Sequence, residues 1–118
     1  MVNSLAEAAA IVDRIGSPAV QTMFDVHNAV DEKMPHSDLI RKYFRYIRHI
    51  HVNELDGREP GTGDYDFAAL LETLAALNYS GWVSLEAFDF SRDARVIAAH
   101  AMARLQSALP AAAIAKTI

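Results

Sequence analysis

The stretch His49-Ile50-His51-Val52-Asn53-Glu54-Leu55-Asp56-Gly57-Arg58-Glu59-Pro60-Gly61-Thr62-Gly63-Asp64-Tyr65-Asp66-Phe67 decides how this chain is read. Ile50 and Val52 alternate with His49 and His51, the period of a β-strand with one apolar and one polar face. The strand then breaks into a loop dense in charge and glycine, and an aspartate closes it where it can cap a helix beginning at Phe67. A strand that ends in histidine and flows into a polar loop is where α/β proteins place their chemistry. A lone histidine there would be an ordinary half-buried residue. Two further strands ending in polar side chains ask for more.

Working outward, each flank supplies a helix and then a strand. Toward the N-terminus, Leu39, Ile40, Tyr43, Phe44 and Ile47 form a helical stripe over 38–48, with Arg41, Lys42, Arg45 and Arg48 on the solvated face. Before it, 20–26 has strand character and ends in Asp25-Val26-His27-Asn28. The first helix opens on Ser4-Leu5-Ala6-Glu7, a capping box, and stops at Gly16-Ser17-Pro18. Toward the C-terminus, Leu70, Leu71, Leu74 and Leu77 stripe a helix over 67–78. Trp82 to Phe88 reads as a strand, apolar nearly throughout and therefore buried on both faces. Ser91 is placed to cap a last helix over 92–109. Residues 111–118 read as a flexible tail. Strands alternating with helices mean βαβ units and a parallel sheet.

Composition narrows the function. One domain, or a piece of one, is the expectation for 118 residues. A net charge of −4 lacks the basic stripe of a nucleic-acid binder. The absence of cysteine removes disulfides and thiolate ligands, and fits a reducing cytoplasm. No segment approaches the ~18–20 apolar residues of a membrane span.

Each strand carries a ligand-type residue at its C-terminal end: Asp25 with His27, His51, and Glu86. In a parallel α/β arrangement these ends share one side, so the groups converge. Two carboxylates and an imidazole suit a divalent cation such as Mn²⁺, Mg²⁺, Co²⁺ or Zn²⁺. Asp25 also has a simpler role open to it, capping a turn. Glu86, set between Leu85 and Ala87-Phe88, would be costly to bury unpaired, which favours a functional role. Arg58 is a candidate clamp for an anionic or hydroxylated substrate, or an exposed loop arginine. Trp82, Phe24, Phe88 and Tyr65 read as core or pocket wall. His36 and His100 carry no assignment.

Taken in order, Phe24-Asp25-Val26-His27, His49-Ile50-His51-Val52, Arg58-Glu59-Pro60-Gly61-Thr62-Gly63 and Gly81-Trp82-Val83-Ser84-Leu85-Glu86 resemble the sugar phosphate isomerase/epimerase family, over about residues 3–108. The resemblance implies a xylose isomerase-like TIM barrel of which residues 1–110 are the C-terminal part, its last three βα units. It implies a divalent metal held by Asp25, His51 and Glu86, with Glu86 also the base that moves a proton beside a carbonyl. His27 falls near a substrate-contacting histidine, although the family often has Asp-x-x-His where this chain has Asp-Val-His. The family's substrate-contacting arginine falls at Gly57, with Arg58 one place later. The family's early-strand glutamate has no counterpart, since Glu7 is read on a helix and Glu54 and Glu59 on the loop.

The implied substrate is a sugar, a ketose or sugar phosphate, isomerised or epimerised by proton transfer. Against this stand two alternatives: an inactive remnant that only binds metal or self-associates, and an AP endonuclease-like member of the same superfamily. A complete barrel takes about 250 residues and eight strands. Three strands leave two open edges, so a homo-oligomer or completion by another chain is expected.

Overall fold

The computed structural model describes residues 1–111; the readings made for 112–118 lie outside the described residues. The element order is α1 (Leu5–Ile15), β1 (Thr22–Asp25), α2 (His36–Tyr43), β2 (Ile47–Val52), α3 (Phe67–Ala76), β3 (Val83–Leu85) and α4 (Ala94–Ser107). The strands form one parallel sheet in the order β1-β2-β3, as βαβ units require. The sheet is open at both edges, β1 and β3.

Local chemistry explains most of the boundaries. The Ser4 hydroxyl accepts from the Glu7 amide, and Glu7 reaches back to the Asn3 amide, one residue before the reciprocal partner of a standard capping box. Gly16 ends α1 in the left-handed region at φ 63°, where a side chain would be strained. Asp66 caps α3 by accepting from the Ala69 amide at 2.9 Å.

Most elements are a residue or more shorter or shifted relative to the sequence reading, and three differences have a clear physical cause. The helix read over 38–48 starts at His36, ends at Tyr43, and tightens into a 3₁₀ turn over Phe44–Tyr46. Ile47 is instead the first residue of β2, paired with Thr22. A register shift between Thr22 and Met23 leaves Arg48 as the extra, exposed residue. The ladder bonds to β1 outcompete one more helical turn, and Ile47 is buried either way.

The strand read over 82–88 spans Val83–Leu85 alone and is only half buried. It is an edge strand with no neighbour on its outer side, so Trp82 is 80% exposed and Phe88 and Phe90 are exposed as well. The last helix is capped by Asp93, which accepts from the Arg95 amide at 2.8 Å, and not by Ser91. The Ser91 amide is drawn into a turn closed by the Asp89 carboxylate.

The two faces of the sheet differ completely. Phe24 and Val26, Ile50 and Val52 are buried and join Leu5, Leu39, Ile40, Phe67, Leu70 and Leu74 in one core beneath the helices. Alternating with them, Met23 and Asp25, His49 and His51, and Ser84 take the other face. That second face is half covered, and it carries the polar residues.

Candidate metal centre

Asp25 and His51 sit opposite one another in the β1–β2 register, and His51 opposes Ser84 on β3. Glu86 lies two residues beyond Ser84, its amide still bonded to the Val52 carbonyl at 3.3 Å. The three side chains therefore meet over the C-terminal ends of the strands. Nδ1 of His51 is 3.0 Å from Glu86 Oε2 and 3.3 Å from Asp25 Oδ2. One donor atom from each of the three lies within 4.8 Å of the others, a grouping that among the described residues these three alone form. Two anionic oxygens and an imidazole nitrogen gathered on one face match the donor set of a divalent cation. The residues present fit such an ion.

Burial is graded across the set. Asp25 is buried, His51 half buried, and the Glu86 side chain 37% exposed. Glu86 is thus not deep in an apolar strand, as its neighbours in sequence suggest; β3 ends one residue before it, at the open edge. Asp25 also fills its simpler role, since Oδ1 accepts from the Asn28 amide at 2.8 Å. Turn capping and convergence on His51 are compatible because a carboxylate has two oxygens.

The remaining sequence candidates stand nearby or elsewhere. His27 Nδ1 donates to the Leu55 carbonyl at 2.7 Å, and its ring lies 5.5 Å from that of Phe88. Arg58 folds back on Asp56, with Nε 2.8 Å from Oδ2, and reaches the Thr62 carbonyl. This pairing holds the Asp56 carboxyl below the usual range. Gly57, at φ 82°, packs so closely under Phe88 that a Cβ there would stand 2.8 Å from the ring.

Several residues that organise the site carry no local signal in sequence. Asn53 is fully buried, accepts from the His27 amide at 2.8 Å, and points its amide nitrogen at both Asp25 oxygens, 3.4 and 3.5 Å away. Glu54 and Glu59 are buried carboxylates in the loop. Glu59 pairs with Arg92 and with His100 Nδ1. His36 bridges the Tyr65 hydroxyl and the Ala29 carbonyl. Their partners are distant in sequence, so spacing does not reveal them.

Residues 1–108 match the family described as the xylose isomerase-like TIM barrel. The chain is 33% identical over 88 residues to a D-psicose 3-epimerase of Enterocloster bolteae, covering 75% of this chain and 29% of that protein. Among solved structures, a 3-keto-D-glucoside 4-epimerase from E. coli superposes with a TM-score of 0.82 at 27% identity, over 91% of this chain and 41% of the other. An L-ribulose 3-epimerase gives 0.78 at 25%, over 91% and 43%. The chain thus spans well under half the length of these sugar epimerases. No described helix is long and apolar enough to cross a membrane.

Proposed function

This chain belongs to the xylose isomerase-like TIM barrel family, and from that premise we propose that it is the C-terminal, site-bearing part of a metal-dependent sugar epimerase. The observation that carries this reading is the meeting of Asp25 Oδ2, His51 Nδ1 and Glu86 Oε2 at the C-terminal ends of three adjacent strands. These three residues hold the ion, which when bound polarises the substrate carbonyl and stabilises the charge that develops on its oxygen.

The chain's own residues supply the rest. Glu86, the most exposed of the three, takes the proton from the carbon beside the carbonyl. Asp25, buried and held by Asn28 and Asn53, stays fixed as a ligand. His27 stands two residues beyond Asp25 as a hydrogen-bonding contact for sugar hydroxyls. Arg58 is the weaker candidate for substrate contact, since its guanidinium is engaged by Asp56. Epimerisation returns a proton from the opposite side of the carbon, so a second acid must face Glu86. That acid comes from barrel strands beyond the three described, either elsewhere on a longer polypeptide or on another chain.

The open edge of β1 supports such completion. A groove of about 440 Å³ runs along it, lined by Ser4, Leu5, Ala8, Thr22, Phe24 and Asp25, where a neighbouring strand would pair. The test is Mn²⁺ calorimetry on protein whose mass is established by light scattering, comparing wild type with His51→Ala. Binding by a monodisperse wild type that is lost in the variant is expected. A monodisperse wild type that binds no Mn²⁺ would overturn the reading.

A further inference from the structure

The loop between β2 and α3 is wound on a carboxylate that the reaction above leaves without a role. Glu54 is buried, and both of its oxygens are taken by backbone amides from the far end of the loop. The Gly61 N–H donates to Oε1 at 2.8 Å and the Tyr65 N–H to Oε2 at 3.1 Å. Its backbone closes the near half: the Glu54 amide donates to the Arg58 carbonyl at 2.8 Å, and the Gly57 amide to the Glu54 carbonyl at 2.9 Å. The packing is tight, because a Cβ on Gly63 would stand 2.7 Å from Oε2. A buried carboxylate survives only when its oxygens are satisfied, and here one loop satisfies both.

So folded, the loop presents two carbonyls to the site. Gly57 accepts the Phe88 amide at 2.8 Å, and Leu55 lies 2.7 Å from His27 Nδ1. A carbonyl can only accept, so His27 carries a proton on Nδ1, and in the neutral ring Nε2 keeps the lone pair. We propose that Glu54 is a positioning residue: by winding this loop it sets the tautomer of His27 and leaves Nε2 as an acceptor for a substrate hydroxyl. The substrate half of this statement rests on the sugar-epimerase reading; the tautomer half does not.

The test is long-range ¹⁵N–¹H spectroscopy of the imidazoles in the full, metal-free chain. Wild-type His27 should show the widely separated nitrogen resonances of one Nδ1–H tautomer. In Glu54→Gln an amide NH₂ must face one of the two backbone donors. The His27 resonances should then draw together as tautomers mix, while the amide signals of α1 and β1 stay in place. Gly63→Ala, which presses on Oε2, should move them in the same direction and decides the matter if Glu54→Gln does not fold. A variant that is merely less stable would keep the wild-type His27 signature. A single Nδ1–H tautomer persisting in the folded variants, or a wild-type ring protonated on Nε2, overturns the proposal.

Glu54 bonds to none of Asp25, His51 and Glu86. Mn²⁺ affinity in Glu54→Gln should therefore fall by less than the ~10-fold that loss of a ligand's hydrogen bond costs. Absent Mn²⁺ binding in wild type, with the tautomer shift intact, would sink the metal reading and leave the positioning role standing.

Discussion

Glu86 Oε2 lies 3.0 Å from His51 Nδ1, although the two residues are 35 positions apart, His51 on β2 and Glu86 one residue past the end of the neighbouring β3. The contact exists because β2 and β3 run parallel, so their polar ends finish on the same side. Glu86→Gln keeps the shape and removes the charge. Mn²⁺ binding measured by calorimetry should weaken. In a completed barrel, exchange of the carbon-bound proton for deuterium should fall by ~10²–10⁴, the usual contribution of a general base. Unchanged exchange would remove Glu86 from the chemistry.

Asn53 is the second handle on the site. Its side-chain nitrogen faces both Asp25 oxygens, while its oxygen holds the His27 amide. Asn53→Ala should lower Mn²⁺ affinity by ~10–100-fold without removing any ligand. It also leaves the half-buried His27 amide without its partner, so a stability loss of ~1 kcal/mol should accompany it in denaturant melts. Affinity that is untouched while stability falls would confine Asn53 to folding.

The architecture was legible in sequence, and so was the convergence of three strand-end side chains. Alternation at Ile50 and Val52 and the helical stripe at Leu70 and Leu74 are local patterns, and local patterns survive in a linear reading. The convergence of Asp25, His51 and Glu86 followed from the parallel topology alone. What could not be read was set by distant partners. Ile47 fits a helix face as well as a strand, and only its pairing with Thr22 chooses. Trp82 and Phe88 read as core because nothing local says that β3 lies at an edge. Glu54 and Glu59 read as loop polar residues and Asn53 as the last residue of the strand, since their burial depends on partners outside any local pattern.

Tyr65 gives a prediction in pH. Burial, with the Asp66 and Glu54 carboxylates adding to it, pushes its phenol above the ordinary range. The folded protein thus keeps a proton that the unfolded chain releases near pH ~10. The stability that Tyr65 contributes is present below that pH and declines as pH rises above it. Chemical melts through the alkaline range should show this decline. In Tyr65→Phe the decline should flatten, with ~1 kcal/mol lost at neutral pH along with the hydrogen bond to His36. An alkaline slope unchanged in Tyr65→Phe would assign it to another group.

Neighbouring residues on β1 should respond unequally to truncation. Phe24 is buried in the core, whereas Met23 turns to the half-covered polar face. Phe24→Ala should cost ~3–5 kcal/mol in denaturant melts, and Met23→Ala well below that range. Equal losses would mean that the polar face is packed as tightly as the core.

This two-sidedness has a bearing on how such chains diversify. On β1 and β2 the residues that hold the fold alternate with those on the face where Asp25 and His51 meet. A change on that face can therefore be made while its neighbours keep the hydrophobic packing intact. Inheritance of the scaffold and invention of new specificities become separable, because the pleat assigns them to opposite sides of the same few residues.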